Sequence, residues 1–239
     1  MADRVSPGAI TDGMNCREAV CIHTDKIFDS CRDKDCIEDL RLYPTAASQF
    51  YIDNAVSVRA RTAQLLYASV DVDEVTFNRG FYTVDVRYFY RVTGDAFTLS
   101  NPPAEIEGLA VFDKRVILFG SEGSAKVFTS QDIITDGQTM RRAIMPKAIV
   151  EAVDPIILNM RVVDVCDCIP GDSVYTDVPE FISAMFNGDL VLDGTGRRVY
   201  ITIGQFSIIR LERDSQLLIP VYDYCMPEKE CVGCGDDDP

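Results

Sequence analysis

Apolar and polar positions alternate most regularly in "FYTVDVRYFYRV", where Tyr82, Val84, Val86, Tyr88, Tyr90 and Val92 share one face and Thr83, Asp85, Arg87 and Arg91 lie mostly on the other. A period of two predicts a half-buried strand. The preceding "VSVRARTAQLLYASVDVDEVTF" alternates in places, and Asn78–Gly80 supplies a turn, so the two runs predict an antiparallel hairpin. "EIEGLAVFDKRVILFG" reads as a second hairpin turning near Asp113–Lys114, "AKVFTS" as a short strand, and "TSQDIITDGQTMRRAIMP" as a loop or excursion. In "AIVEAVDPIILNMRVVDVCDC" two strands are separated at Asp154–Pro155, because proline cannot continue a central ladder. "DLVLDGTGRRVYITIGQFSIIRLE" reads as a further hairpin, turning at Asp193–Gly196.

Helical signals are few. Ile37 and Leu40 among charged residues allow a short helix over Lys34–Leu42, which Pro44 would stop, with the rest of residues 15–44 as loop held by its cysteines. "DVPEFISAMF" is the better candidate: Asp177 can cap it, Pro179 and Glu180 suit its first turn, and Phe181, Ala184 and Met185 share a face. Strands at short intervals with one or two short helices predict an all-β, antiparallel, β-sandwich-like fold with cysteine-rich terminal segments.

The organisation that follows is a flexible arm over 1–15, a cysteine-rich segment over 16–44, a β core over 45–227, and an acidic, cysteine-containing tail over 228–239. "VVDVCDCIP" and "PVYDYCMP" each close a strand on Cys-(Ile/Met)-Pro, and "DKRVILFG" resembles "GRRVYITIG". Either this is coincidence among strands, or the core holds two related modules, 45–170 and 171–227.

Composition narrows the functions. The 239-residue chain is 47% hydrophobic, with 12 Phe and 10 Tyr, and is long enough to bury a core without metal or disulfides. A formal net charge of −15 repels phosphate backbones, which argues against nucleic acid as a partner. No run of 18 apolar residues occurs, so no membrane span is expected. The first 15 residues lack a basic region followed by an apolar one, so synthesis in the cytoplasm without a signal peptide is expected.

Nine cysteines are a high load for such a compartment. Cys16, Cys21, Cys31 and Cys36 follow a C-x4-C-x9-C-x4-C spacing around the single histidine, His23. Cys166 and Cys168 end one strand, Cys225 ends another, and Cys231 and Cys234 form a C-x2-C pair in the tail. Zinc held by Cys16, Cys21, Cys31 and Cys36, with His23 nearby, is one reading, although C-x4-C is at the edge of knuckle spacing. Dithiol catalysis at "CVGC" lacks its strand–helix setting, and neighbouring aspartates raise a thiol pKa there. No G-x-S-x-G and no phosphate loop occur, so no enzyme activity is expected. Asp33/Asp35 and Asp71/Asp73 lack the other ligands of a calcium loop and read as solvated faces. Cross-linking remains: cysteines near both ends of a β domain can join neighbouring subunits by disulfides.

A resemblance points the same way. "CIHTDKIFDSCRDKDCIEDLR", followed by "FNRGFYTVDVRYFYRVT" and "FDKRVILFGSEGSAKVF", resembles cysteine-containing proteins of spore-forming clostridia over about residues 15–235. The β-rich stretch closing on "IPVYDYCMPEKEC" is loosely similar to SPOCS modules of spore coat and exosporium proteins. It lacks the LysM-type or other peptidoglycan-binding segment typical of those proteins. The resemblance implies synthesis in the mother-cell cytoplasm, a final place on the spore surface, and oxidation when that cell lyses. The expected function is therefore a self-assembling structural protein of a spore layer or appendage. Its partners are copies of itself and other spore-layer proteins, joined by intersubunit disulfides among the nine cysteines and requiring no cofactor. The alternative is a zinc-stabilised protein-binding module.

Overall fold

A computed structural model describes residues 18–99, 102–122, 145–164, 178–193 and 196–221. The arm over 1–15, "AKVFTS", nearly all of the excursion, Asp177 and the acidic tail lie outside the described residues. By compactness the chain divides into a larger unit, Ile27–Arg213, and a smaller one made of Met1–Lys26 and Asp214–Pro239.

Seven strands form one sheet: β1 (Glu18–Pro44), β2 (Ser57–Glu74), β3 (Phe81–Phe97), β4 (Ala104–Phe119), β5 (Lys147–Ala152), β6 (Ile156–Val163) and β7 (Arg198–Val221). Their order is β2-β3-β4-β1-β7-β5, with β6 also on β7, and the β2–β3, β3–β4, β1–β4, β5–β7 and β6–β7 pairs are antiparallel. In the larger unit the sheet curls into a nearly closed barrel, bringing β2 back towards β5 and β6. An Asp154 carboxylate accepts the Leu65 amide of β2 at 2.8 Å across that seam. Asp154 belongs to the break anticipated at Asp154–Pro155. On either side of it β5 and β6 pair with successive stretches of β7, from Glu212 down to Ser207 and from Gly204 down to Arg198.

The expected β2–β3 hairpin is present, with Gly80 at φ +80 in its turn, where a side chain would be strained. All six of the apolar residues assigned to one face of β3 are buried inside the barrel. Phe89 interrupts the alternation. It faces outward with Tyr43 and Leu109 and is covered by Ile182 and Phe186, which form a second small core. Among the described residues the helices are α1 (Ala46–Asp53) and α2 (Glu180–Ser183). Among the described residues no helix is long and apolar enough to cross a membrane.

Several expectations are corrected. The helix over Lys34–Leu42 does not form, nor does the loop around it; β1 runs through as strand, because pairing with neighbours overrides a short charged helical pattern. No turn forms at Asp113–Lys114, since β4 is continuous there and Asp113 and Arg115 pair across to Arg87 and Asp85 of β3. The hairpin at Asp193–Gly196 is replaced: Leu190 bridges to Thr45, and β7 pairs with β5 and β6. In α2 and the turn that follows it, Ile182 and Phe186 are buried, while Phe181, Ala184 and Met185 are exposed, Phe181 touching the Tyr67 ring edge-on at 5.1 Å. Helix α1 was not anticipated; Thr45 caps it by accepting the Ser48 amide at 3.3 Å, and Ile52 enters the core.

The smaller unit contains, among the described residues, the first part of β1 and the last part of β7, strands adjacent in the sheet order. None of its residues with described burial is buried.

Candidate functional site

Three of the nine cysteines are described, and all lie on β1 as free thiols: Cys21 and Cys36 are exposed, and Cys31 is half-buried against the barrel core. His23 is exposed on the same strand. Cys16, Cys166, Cys168, Cys225, Cys231 and Cys234 lie outside the described residues.

Strand geometry bears directly on zinc. Cys31 and Cys36 are five residues apart on a strand that rises about 3.3 Å per residue, which puts their backbones about 16 Å apart and their side chains on opposite faces. Two sulfurs bound to one zinc, each about 2.3 Å from it, cannot come from positions so placed. Among the described residues no cluster of three or more His, Cys, Asp or Glu side chains suits a metal ion.

The same alternation assembles something the sequence pattern hid. Cys31, Asp33, Asp35 and Ile37 are in phase on β1, and Ile37 belongs to the barrel core. Asp33 and Asp35 are therefore not merely solvated: their Oδ2 atoms stand 2.8 and 2.5 Å from the Lys114 ammonium of β4. The Lys114 side chain is only 7% exposed, Asp35 19% and Asp33 52%. Lys114 sits opposite the buried Val86 of β3, on the inward face that also carries Tyr88 and Tyr90. The Tyr88 ring stacks on Tyr90 and on Phe112, with centroids 6.1 and 6.2 Å apart.

Burial and charge compete here. Burial works against the Lys114 ammonium, yet the hydrogen bonds to Asp33 and Asp35 outweigh it and hold its pKa above the usual lysine value. The hydrogen bond from Lys114 lowers the Asp33 pKa. Burial raises the Cys31 thiol, a shift that Lys114 partly offsets, and burial likewise raises the Tyr88 phenol.

Lys114 also borders an open cavity of about 1020 Å³ with Val86, Pro146 and the charged side chains Asp71, Asp73, Asp85, Arg87, Asp113 and Arg115. Two arginines there are paired, Arg87 with Asp113 and Arg115 with Asp85, so the lining is mixed in sign.

The ladder between β1 and β4 covers Leu42–Pro44 against Ala110–Gly108. Further along β4, side chains of β1 make the connection: Asp33 and Asp35 hold Lys114, and Asp29 accepts the Phe119 amide at 3.0 Å.

Comparison with protein-family models, with curated proteins and with solved structures finds no match for this chain.

Proposed function

We propose that the chain is a structural, self-assembling protein whose copies are joined by intersubunit disulfides. The observation that carries this reading is the pair of exposed free thiols, Cys21 and Cys36, on the long strand β1. A thiol on a regular strand has a fixed direction and cannot fold back to a neighbour on its own strand, so oxidation favours a partner on another chain or element. The acidic surface, at a net charge of −15, suits a subunit kept soluble until assembly. The resemblance to clostridial spore proteins supports a spore layer or appendage as the place of assembly, with oxidation following mother-cell lysis. The zinc module receives no comparable support, since Cys31 and Cys36 cannot share an ion.

The test is electron microscopy and non-reducing electrophoresis of purified protein after mild oxidation, with reductant and with chelator. Regular polymers or ladders that collapse with reductant and ignore chelator are expected. In Cys21→Ser/Cys36→Ser they should be shortened or lost. Monomers throughout, or assemblies dissolved by chelator alone, would refute the reading. Deleting residues 1–15 separately tests the arm as a docking segment: assembly should fail while the β domain stays folded.

A further inference from the structure

Lys114 and Asp35 bring an amine and a carboxyl group together in a setting that surface ion pairs lack. Asp35 Oδ2 is 2.5 Å from Lys114 Nζ, and its carboxyl carbon lies one C–O bond further on, so it is within about 3.7 Å of the nitrogen. A held nucleophile gains most at a separation of about 3–3.5 Å. The Lys114 side chain is 7% exposed, with Val86 opposite it, and the Asp35 side chain is 19% exposed, so most of the surface of both reacting groups is shielded from water. A second carboxylate, Asp33, touches the same nitrogen at 2.8 Å. The backbone ladder of β1 and β4 lies at Leu42–Pro44, so a bond here would join the strands where side chains alone connect them.

We propose that Lys114 and Asp35 condense into an intramolecular isopeptide bond, with Asp33 as the catalytic acid–base group. A proton passes from the ammonium to the Asp35 carboxylate, against the hold that the two carboxylates keep on the charged lysine, leaving a neutral amine beside a neutral acid. The Nζ lone pair attacks Cγ and forms the C–N bond. Asp33 takes a second proton from nitrogen and delivers it to the departing hydroxyl, the Cγ–O bond breaks, and water leaves. Ammonium plus carboxylate becomes amide plus water, with no redox change and no co-reactant, and Asp33 ends ionised as it began. The bond ties two strands of one chain and does not depend on intersubunit disulfides.

Mass spectrometry decides the matter. After reduction and alkylation, which remove any contribution from disulfides, the purified full chain should weigh one water, about 18 Da, less than its sequence requires. Trypsin should fail to cut after Lys114, yielding residues 92–115 joined to residues 35–41. Lys114→Arg retains the cation without a nucleophile able to form this bond, and should restore the sequence mass. Asp33→Asn keeps both reacting groups and should leave them unjoined. Wild-type protein with a cooperative thermal transition, the full sequence mass and normal cleavage after Lys114 would overturn the proposal. Complete joining in Asp33→Asn would overturn the role of Asp33.

Discussion

Replacing Lys114 by methionine removes the one cation between two carboxylates while keeping an unbranched side chain in its place. The informative reference is Lys114→Arg, which preserves the charge and shares the inability to form an amide with Asp35, so the comparison isolates the electrostatic contribution. Removing one partner of a fully buried ion pair costs about 3–5 kcal/mol. Lys114 at 7% exposure and Asp35 at 19% approach that limit, but Asp33 at 52% can recover water when its partner is lost, and its share is screened accordingly. Lys114→Met should therefore be about 2–3 kcal/mol less stable than Lys114→Arg at pH 7.

The pH dependence follows from the Asp33 pKa, which is depressed in the folded state by Lys114. A depressed carboxylate contributes stability above its unfolded pKa, about 3.9, and loses that contribution as pH falls through the lower folded value. The gap between the variants should hold above about pH 5 and shrink below about pH 4, as Asp33 takes up its proton. Urea unfolding of both full chains under reducing conditions, at pH 7 and near pH 3.5, measures the gap. A difference below about 0.5 kcal/mol at pH 7, the scale of an ordinary surface substitution, or one unchanged on acidification, would refute the reasoning.

Other perturbations test different parts of the molecule. At Gly108 an added Cβ would stand 2.7 Å from the Tyr43 carbonyl oxygen and 2.9 Å from Pro44 Cα, so Gly108→Ala should destabilise by roughly 1–3 kcal/mol, read as a lower urea midpoint at unchanged slope. Ile182 is fully buried in the small outer core beneath α2, and Ile182→Ala should cost about 2–4 kcal/mol without changing how fast Cys36 reacts with a thiol reagent. Among the described cysteines, Cys31 should be alkylated more slowly than Cys21 or Cys36 at neutral pH, since it is half-buried and burial raises its pKa; peptide mapping after timed alkylation reads the order.

Strand β3 was legible because both of its requirements coincide: alternation in the sequence and a dry interior on one side. The break before Pro155 was legible for a similarly local reason, a missing amide donor. Strand β1 was not, because Asp33 and Asp35 occupy inward positions that a binary pattern expects to be apolar, and their polarity made sense only once Lys114 was known to face them. Their spacing, in phase with Cys31 and Ile37, was the one available signal. Lys114 itself was obscured by its neighbours: Asp113 and Arg115 look like turn residues until Arg87 and Asp85 appear across the ladder. Helix α1 carried a usable signal in Thr45 followed three residues later by Ser48, but strong strand patterns on the downstream side masked it.

From the sequence alone came the antiparallel all-β class, the β2–β3 hairpin with its buried face, the Asp154–Pro155 interruption and the abundance of thiols, all properties of residues close together in the chain. Tertiary structure alone decided that β1 lies between β4 and β7, that Phe89 is covered by Ile182 and Phe186, and that Lys114 meets Asp33 and Asp35. Those arrangements depend on residues about 64 or more positions apart, whose pairing is set by which curled sheet buries the most apolar surface while satisfying its polar groups. No local pattern encodes that choice.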